Sequence, residues 1–224
     1  MNVIVVASRK GGSGKSTLTA HLAAHVHKPS RPCLLVDSDP QGSLTLWHGL
    51  RGTGEPVLKS GLRGVENILK AARNDYEWAF VDTPPTISAV VTEAIRCATL
   101  VVIPARPTVF DLSAVKETID LCRSVRKPYA VVINAAPTKR DDSESPIVTQ
   151  AREGLAKLRV PVWGGQITQR TNFSIALGAG EGVKEYDSQS AAAGEMARLW
   201  TAIEKSVKAI HGASVGTVMH KHAA

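Results

Sequence analysis

The sequence predicts an α/β fold, in which helices flank a doubly wound and mostly parallel sheet. Short apolar runs rich in valine, isoleucine and leucine alternate along the chain with segments of helical periodicity. The apolar runs lack polar alternation, as expected of parallel strands that are buried on both faces. A glycine-rich segment follows the first run directly. Strand–helix alternation implies right-handed crossovers, with ligands bound at the carboxyl ends of the strands.

The strands are predicted from runs of β-branched and other apolar residues that end at polar or turn-forming residues. The first run precedes the glycine-rich turn, and the second and third runs each end in an aspartate. The later runs end at Pro104, Asn134 and Ile167. In chain order, the predicted strands are residues 2–7, 33–37, 78–82, 99–104, 129–134 and 160–167.

The helices are predicted where apolar residues recur every three or four positions. In the first helix Leu18, Leu22 and Val26 follow this spacing. The last helix carries one apolar stripe, formed by Met196, Leu199, Trp200, Ile203, Val207 and Ile210. In chain order, the predicted helices are residues 15–27, 64–73, 88–97, 111–125, 145–158 and 189–210. The remaining expectations are a mobile connection at 49–64, a loop at 138–145, one domain over 1–210 and a flexible tail over 211–224.

Composition excludes several classes of protein. The chain has 224 residues and is 43% hydrophobic, which suits one domain with an ordinary core. No apolar run approaches the ~20 residues of a membrane span, and the first residues lack the order of a signal peptide. Cys33, Cys97 and Cys122 suit a reducing compartment better than a disulfide framework. We therefore expect a cytoplasmic protein without a membrane partner, whose net charge of +7 permits contact with nucleic acid.

The glycine-rich segment at residues 10–17, Lys-Gly-Gly-Ser-Gly-Lys-Ser-Thr, predicts a phosphate cradle. Glycines let backbone N–H groups close on phosphate oxygens, and the following helix N-terminus favours negative charge. Lys15 can reach the β- and γ-phosphates, and the Ser16 hydroxyl is placed for Mg²⁺. The candidate phosphate-binding residues are Gly11, Gly12, Ser13, Gly14, Lys15, Ser16 and Thr17.

The segment departs from the general pattern Gly-x-x-x-x-Gly-Lys-Ser/Thr at its first position, which Arg9 or Lys10 occupies. A lysine that opens the loop cannot easily fold back on its own nucleotide. Lys10 could instead reach phosphates bound by a second subunit. The alternative is an ordinary solvated loop lysine.

Polar side chains end the neighbouring predicted strands. Asp37 and Asp39 lie two positions apart and point the same way on an extended segment. Asp37 could hold a magnesium-bound water and Asp39 could orient the attacking water, although an ordinary turn also explains both. Asp82 is a candidate second magnesium anchor. Asn134 could pair with the edge of adenine, or could simply form a turn.

His21 and His25 lie one helical turn apart, a spacing that could bind a metal ion. No third ligand is evident in the sequence. Structural or surface roles are therefore the favoured interpretation of both histidines.

Together these residues resemble the ParA/MinD group of deviant-Walker ATPases, and within it the small ParA type of plasmid and chromosome partition. The segments that carry the resemblance are 10–17, 37–42 and 82–85. Residues 103–107 resemble the proline-containing segment of ParF-like members, and the C-terminal run from Ile167 to Asp187 also matches. The resemblance covers roughly residues 1–210.

The resemblance implies a mechanism and a set of partners. Family members bind Mg-ATP and form a sandwich homodimer in which the signature lysine, here Lys10, contacts the partner's nucleotide. Lys15 and Asp39 complete the implied catalytic set, with slow basal hydrolysis. The dimer binds DNA without sequence preference, and a ParB-like or cargo-adaptor protein stimulates hydrolysis. We expect a nucleoid-associated protein that positions a plasmid, a chromosome locus or another cargo.

The DNA-contacting residues are predicted only from charge and spacing. Phosphate contacts alone suffice for nonspecific binding. The candidates are Arg170, Lys184, Arg198, Lys205 and Lys208, each of which could also be a plain solvated residue. The single apolar stripe of the last helix suits packing on the core, and so disfavours the membrane targeting seen in MinD-like members.

Four other functions compete with this interpretation. An ATP-dependent metabolic synthetase on the same scaffold would need further polar groups around a substrate. An iron–sulfur reductase would need cluster-bridging cysteines, whereas Cys97 precedes an apolar strand and Cys122 lies within a helix. A bacterial tyrosine kinase typically has a tyrosine-rich tail, and this chain has three tyrosines. A binding module without hydrolysis would not need the intact set of Lys15, Ser16, Asp39 and Asp82.

Overall fold

The computed structural model describes residues 1–141 and 143–221. The described residues form a parallel six-stranded sheet of order β3-β2-β4-β1-β5-β6. The strands are β1 Asn2–Val6, β2 Cys33–Asp37, β3 Val57–Ser60, β4 Trp78–Asp82, β5 Leu100–Ala105 and β6 Tyr129–Ile133. The helices are α1 Lys15–Val26, α2 Ser43–Arg51, α3 Val65–Ala71, α4 Ala89–Cys97, α5 Val109–Ser124, α6 Pro146–Lys157, α7 Thr171–Gly178, α8 Val183–Tyr186 and α9 Ala191–Lys221. The predicted fold class is confirmed.

The strand predicted at residues 160–167 is wrong. The chain touches β6 there through an isolated bridge between Val131 and Val162 and through a hydrogen bond from the Ile167 N–H to the Ile133 carbonyl oxygen at 2.9 Å, and a second bridge follows outside β6. Pro161 has no N–H to donate to a ladder. The Arg152 guanidinium then binds the carbonyls of residues 163–165, at 2.9, 3.3 and 2.8 Å, and turns the chain.

The connection predicted at residues 49–64 contains a strand instead. β3 pairs with β2 in parallel register, with Leu34 opposite Val57 and Asp37 opposite Ser60. The last two residues of β3 are exposed, as suits a short strand at the sheet edge. The sequence also failed to predict the short helices α2, α7 and α8.

The core has one layer on each face of the sheet. Helices α1 and α9 cover one face, and α3 to α6 cover the other. On the first face Trp200 of α9 packs edge-on against Trp78, with ring centroids 4.6 Å apart. Five members of the predicted α9 stripe are buried and Ile210 packs beside them, so the stripe faces the core as expected.

Helix α9 continues to Lys221, past residue 211, where the sequence predicted the start of a tail. Residues 222–224 lie outside the described residues. The division into a domain and a flexible tail therefore stays a prediction. Within the described part of the chain, every helix is too short or too polar to cross a bilayer.

His21 connects α1 to the helices that follow the sheet. It is buried; its Nδ1 accepts the Val183 N–H at 3.0 Å, and its Nε2 lies 3.2 Å from the Phe173 carbonyl oxygen. Burial lowers the pKa of His21 to about 4. Burial also lowers the pKa of His25 to about 4, with Lys184 and Lys28 adding to the effect. The described residues hold no group of three metal-ligating side chains, and His21 has the structural role that the sequence favoured.

We predict that lowering the pH destabilises the protein through His21. The unfolded histidine titrates near 6.5 and the folded one near 4, so the unfolded state binds more protons between these values. The stability is complete above pH 6.5 and about 3 kcal/mol of it is lost as the pH falls through 4. Denaturant unfolding at several pH values should show a shallower loss in His21→Asn than in wild type. Equal slopes would contradict this role, since groups such as Asp82 contribute equally to both proteins.

Candidate functional site

The glycine-rich loop lies between β1 and α1 and depends on left-handed backbone. Gly12 and Gly14 have φ values of 72° and 93°. Gly14 is the N-cap of α1, and its carbonyl accepts the Leu18 N–H at 2.9 Å. A Cβ atom on Gly14 would lie 2.2 Å from the amide nitrogen of Asn134. The loop can therefore keep this shape only with glycine at position 14.

The lysine at the start of α1 is buried near two acidic residues. Lys15 is 6% exposed, and its Nζ donates a hydrogen bond to the Lys10 carbonyl oxygen at 3.3 Å. Burial lowers the pKa of Lys15, while Asp82 and Asp39 oppose that shift. A buried cation at the end of the sheet, beside backbone N–H groups, suits an anionic ligand.

Several buried polar side-chain atoms have no hydrogen-bond partner among the described residues, and two of them lie in or beside the glycine-rich loop. These two are Ser13 Oγ and Asp82 Oδ2. Burial raises the pKa of Asp82 to about 7, with the charge of Asp37 adding to the rise and the Ser16 hydroxyl opposing it. Buried polar atoms without partners are rare in folded proteins, and they point to a partner such as a ligand, an ion or water.

Asp37 and Asp39, at the end of β2, differ in burial and in the hydrogen bonds that they accept. Asp37 is buried; its Oδ1 accepts the Asp39 N–H at 3.1 Å, and its Oδ2 accepts the Thr45 N–H and hydroxyl at 2.9 and 2.7 Å. It thus fixes the first turn of α2. Asp39 is half-buried, and its Oδ1 accepts the Gln41 N–H at 2.9 Å. The predicted magnesium role of Asp37 stays a prediction and competes with these three hydrogen bonds.

A cavity of about 590 Å³ opens beside the glycine-rich loop at the carboxyl edge of the sheet, and Ser13, Asp37 and Asp82 are not among its lining residues. The glycine-rich loop forms one side, and residues 167–170 with α7 form the other. Asp39 and Asn134 both line it. Its volume lies within the range of small-molecule sites. It also lies at the carboxyl ends of the strands, where parallel sheets bind their ligands.

Asn134 is held against the glycine-rich loop. It is 6% exposed, and its Nδ2 donates a hydrogen bond to the Ser13 carbonyl oxygen at 2.7 Å. The backbone N–H of Asn134 donates to Ala105, which places the side chain next to the ends of β5 and β6. The amide thus clamps the loop, and its predicted pairing with adenine stays a prediction.

Several residues of the cavity wall were missed by sequence reasoning. Trp47 and Phe173 belong to α2 and α7, which the sequence did not predict. Arg106 lies in the proline-containing segment, but nothing in the sequence indicated that its guanidinium would lie near Gly12. The signal available was the position of Arg106 directly after a buried strand.

The structure separates the predicted DNA-contacting residues. Arg170 lines the cavity and pairs at 2.9 Å with Glu195, a buried residue of α9. Lys184 is exposed on α8. Arg198, Lys205 and Lys208 are exposed on the outer face of α9, and Lys10 is exposed at the mouth of the loop. Of the predicted residues, the three on α9 share one surface and Arg170 lines the cavity, and the predicted DNA contacts stay predictions.

Comparison with known proteins identifies the family. The family model described as the CobQ/CobB/MinD/ParA nucleotide-binding domain matches residues 4–183. This chain belongs to that family. The glycine-rich loop, Asp37, Asp39 and Asp82 therefore lie within a nucleotide-binding domain, and the predicted resemblance to the ParA/MinD group is confirmed.

Named relatives and solved structures are similar to this chain in sequence or in fold. The carboxysome distribution maintenance protein A of Halothiobacillus neapolitanus is 29% identical over 199 residues, which cover 86% of this chain and 91% of the relative. The apo McdA structure from Cyanothece has a TM-score of 0.75 at 17% identity, covering 94% of this chain and 99% of that one. The McdA–ATP complex from Cyanothece has a TM-score of 0.74 at 17% identity, covering 95% and 96% of the two chains.

Proposed function

We propose that this chain is an ATPase that dimerises on binding ATP, binds DNA without sequence preference and positions a cargo. The cargo is a plasmid, a chromosome locus or another large assembly, and a ParB-like adaptor stimulates hydrolysis. The observation that carries the proposal is the pair of partnerless oxygens, Ser13 Oγ and Asp82 Oδ2, beside the buried Lys15 in the glycine-rich loop. We place the protein in the cytoplasm, associated with the nucleoid.

The donor set fits Mg-ATP. Lys15 and the loop N–H groups would hold phosphate oxygens, while the Ser16 hydroxyl and the Asp82 carboxylate are the hard oxygen donors that Mg²⁺ prefers. In such sites Mg²⁺ is held by one or two carboxylates together with substrate phosphates and water, so the protein itself supplies few ligands. When bound, Mg²⁺ neutralises charge that develops on the transferring phosphoryl group.

Hydrolysis needs a group that orients the attacking water. ATP-dependent dimerisation needs a contact from one protomer to the nucleotide of the other. Asp39 lines the cavity, and among the described residues its carboxylate accepts one hydrogen bond, from the Gln41 backbone N–H to Oδ1. It can therefore accept a hydrogen bond from the attacking water. Lys10 is exposed at the loop and would contact the partner's phosphates across the dimer. ATP thus stabilises the dimer, and hydrolysis releases it.

We predict that Asp39→Ala blocks hydrolysis while it preserves the ATP-bound dimer. Turnover should fall about a hundredfold or more, because the water loses its acceptor. Phosphate release and light-scattering mass with Mg-ATP measure the two properties, and the exposed Asp75 provides Asp75→Ala as a matched control. Loss of ATP binding in Asp39→Ala would show that this residue serves the nucleotide instead.

We predict that the double variant Arg198→Glu/Lys205→Glu binds DNA more weakly and ATP normally. Both residues are exposed on α9, and reversing their charge repels phosphates without touching the cavity. Retention on random-sequence duplex DNA and nucleotide affinity are measured on the same preparations, with Arg96→Glu on α4 as the control. Normal retention would remove α9 from the DNA interface. A wild-type ATPase that neither dimerises nor binds DNA would instead favour a metabolic synthetase.

A further inference from the structure

Several basic residues lie at the amino edge of the sheet, away from the nucleotide cavity. Helices α5 and α6 both end there, beside the first residues of β6. Residues 121–129 and 156–163 include no acidic residue. Their basic residues are Arg123, Arg126, Lys127, Lys157 and Arg159. We call Arg126, Lys157 and Arg159 the basic corner.

Arg123 holds the two helix ends together. Its guanidinium donates to the Leu158 carbonyl oxygen at 3.4 Å and to the Tyr129 hydroxyl at 3.0 Å. Arg159 directly follows Leu158, and Arg126 lies one turn after Arg123. The side chains of Arg126 and Arg159 are therefore exposed on the same edge.

Two members of the basic corner occupy strained backbone positions. Arg126 and Arg159 have φ values of 55° and 51°, and each lies just past a helix end. Their N–H groups donate to Arg123 and Ala156 at 3.1 and 2.9 Å, the hydrogen bond of a left-handed helix cap. Glycine is the residue that such a position favours.

The helix dipole does not explain the choice of arginine. The last turns of α5 and α6 already contain Arg123 and Lys157, which supply the favourable positive charge. Arginine at the left-handed position that follows each helix costs conformational free energy, and it does not supply a charge that the helix end lacks. An observed backbone outlier of this kind is a reason to look for function.

No salt bridge joins the basic corner to the described residues, and the nearest acidic residue in sequence is Glu153, one helical turn before Lys157 on α6. Among residues 1–141 and 143–221, Arg126, Lys157 and Arg159 form neither an ion pair nor a side-chain hydrogen bond. By contrast, Lys127 donates to the Ala98 carbonyl oxygen at 3.1 Å. Three exposed cations without partners on one edge suit an extended polyanion rather than a single small anion.

We propose that the basic corner binds the phosphate backbone of duplex DNA. The proposal rests on the proposed function for the identity of the polyanion, but it locates the contact at the edge opposite the cavity. Dimerisation through the nucleotide faces would leave both corners accessible, one on each protomer. Two linked corners would then strengthen DNA binding by avidity.

The test replaces both strained arginines by glycine. In Arg126→Gly/Arg159→Gly the melting temperature should equal or exceed that of wild type, because glycine relieves the strain. Affinity for random-sequence duplex DNA should fall tenfold or more, and the slope of log affinity against log salt should decrease by about two. Arg63→Gly/Arg73→Gly removes the same charge from exposed positions elsewhere and should bind DNA as wild type does.

The measurements are made without nucleotide and with Mg-ATP, and vesicles containing phosphatidylserine are tested in parallel. If Arg126→Gly/Arg159→Gly keeps the DNA affinity of wild type while Arg198→Glu/Lys205→Glu loses it, the basic corner is not the DNA site and the proposed function stands. If Arg126→Gly/Arg159→Gly loses vesicle binding but keeps DNA binding, the basic corner binds a membrane surface rather than DNA. A wild-type protein that binds no DNA under either condition would overturn both.

Discussion

Replacing Lys15 by alanine is expected to abolish hydrolysis and to weaken nucleotide binding severely. Lys15 is the buried cation of the glycine-rich loop, and its charge is balanced within the chain by Asp82 and Asp39. A phosphate oxygen in the cavity would receive a charge-assisted hydrogen bond from its ammonium group. Removal costs about 1.5–3 kcal/mol in binding. It also leaves the two carboxylates without a nearby counter-charge.

The effect on turnover should exceed the effect on binding. Negative charge develops on the phosphoryl oxygens during transfer, and a fixed cation in a water-poor site stabilises that charge most. We expect turnover to fall about a hundredfold to a thousandfold, or about 2.7–4 kcal/mol, by analogy with the loss of one preorganised donor. Phosphate release under saturating Mg-ATP, together with equilibrium nucleotide binding, separates the two effects.

Lys10→Ala is the matched control for Lys15→Ala. Lys10 has the same side chain five positions away, but it is exposed, and only its carbonyl oxygen contacts Lys15. Each protomer should therefore keep its nucleotide affinity in Lys10→Ala, while dimerisation fails. Equal nucleotide affinities in the two variants would show that burial does not distinguish the two lysines.

The sequence predicted the central sheet because its strands are buried on both faces. The runs that form β1, β2, β4, β5 and β6 are nearly continuous in apolar residues, and each was located within a residue or two of its observed bounds. The loop, Asp37, Asp39, Asp82 and Asn134 all follow these runs, so their convergence at one edge followed from parallel topology. The short and half-exposed β3 has no such signal.

The roles of individual side chains depend on contacts with residues far away in sequence, which a local sequence pattern cannot predict. Asn134 donates to Ser13, 121 positions away in sequence, and Arg170 pairs with Glu195 of a later helix. Both residues had been assigned ligands from their charge or hydrogen-bonding capacity alone. The cavity wall from α7 was also missed, because a helix of 8 residues offers little periodicity.

The clamp formed by Asn134 makes Gly14→Ala the second prediction with a large expected effect. Alanine at a φ of 93° costs about 1–2 kcal/mol in backbone strain. Its Cβ would also lie 2.2 Å from Asn134 Nδ2, so the amide must leave the Ser13 carbonyl oxygen. Overpacking of this kind costs about 1–3 kcal/mol more. We expect a marked loss of stability in denaturant unfolding and a loss of nucleotide binding.

A pair of further variants separates strain from collision. Gly11 has no atom within 4 Å of an added Cβ and lacks a positive φ, so Gly11→Ala should unfold like wild type. Gly14→Ala/Asn134→Ala removes the collision and retains the strain, so it should be more stable than the sum of its single variants predicts. Strict additivity would mean that Asn134 does not constrain the loop. Coupling would instead show that the tip of β6 sets the shape of the phosphate-binding turn, because its amide reaches the loop only when position 14 has no side chain.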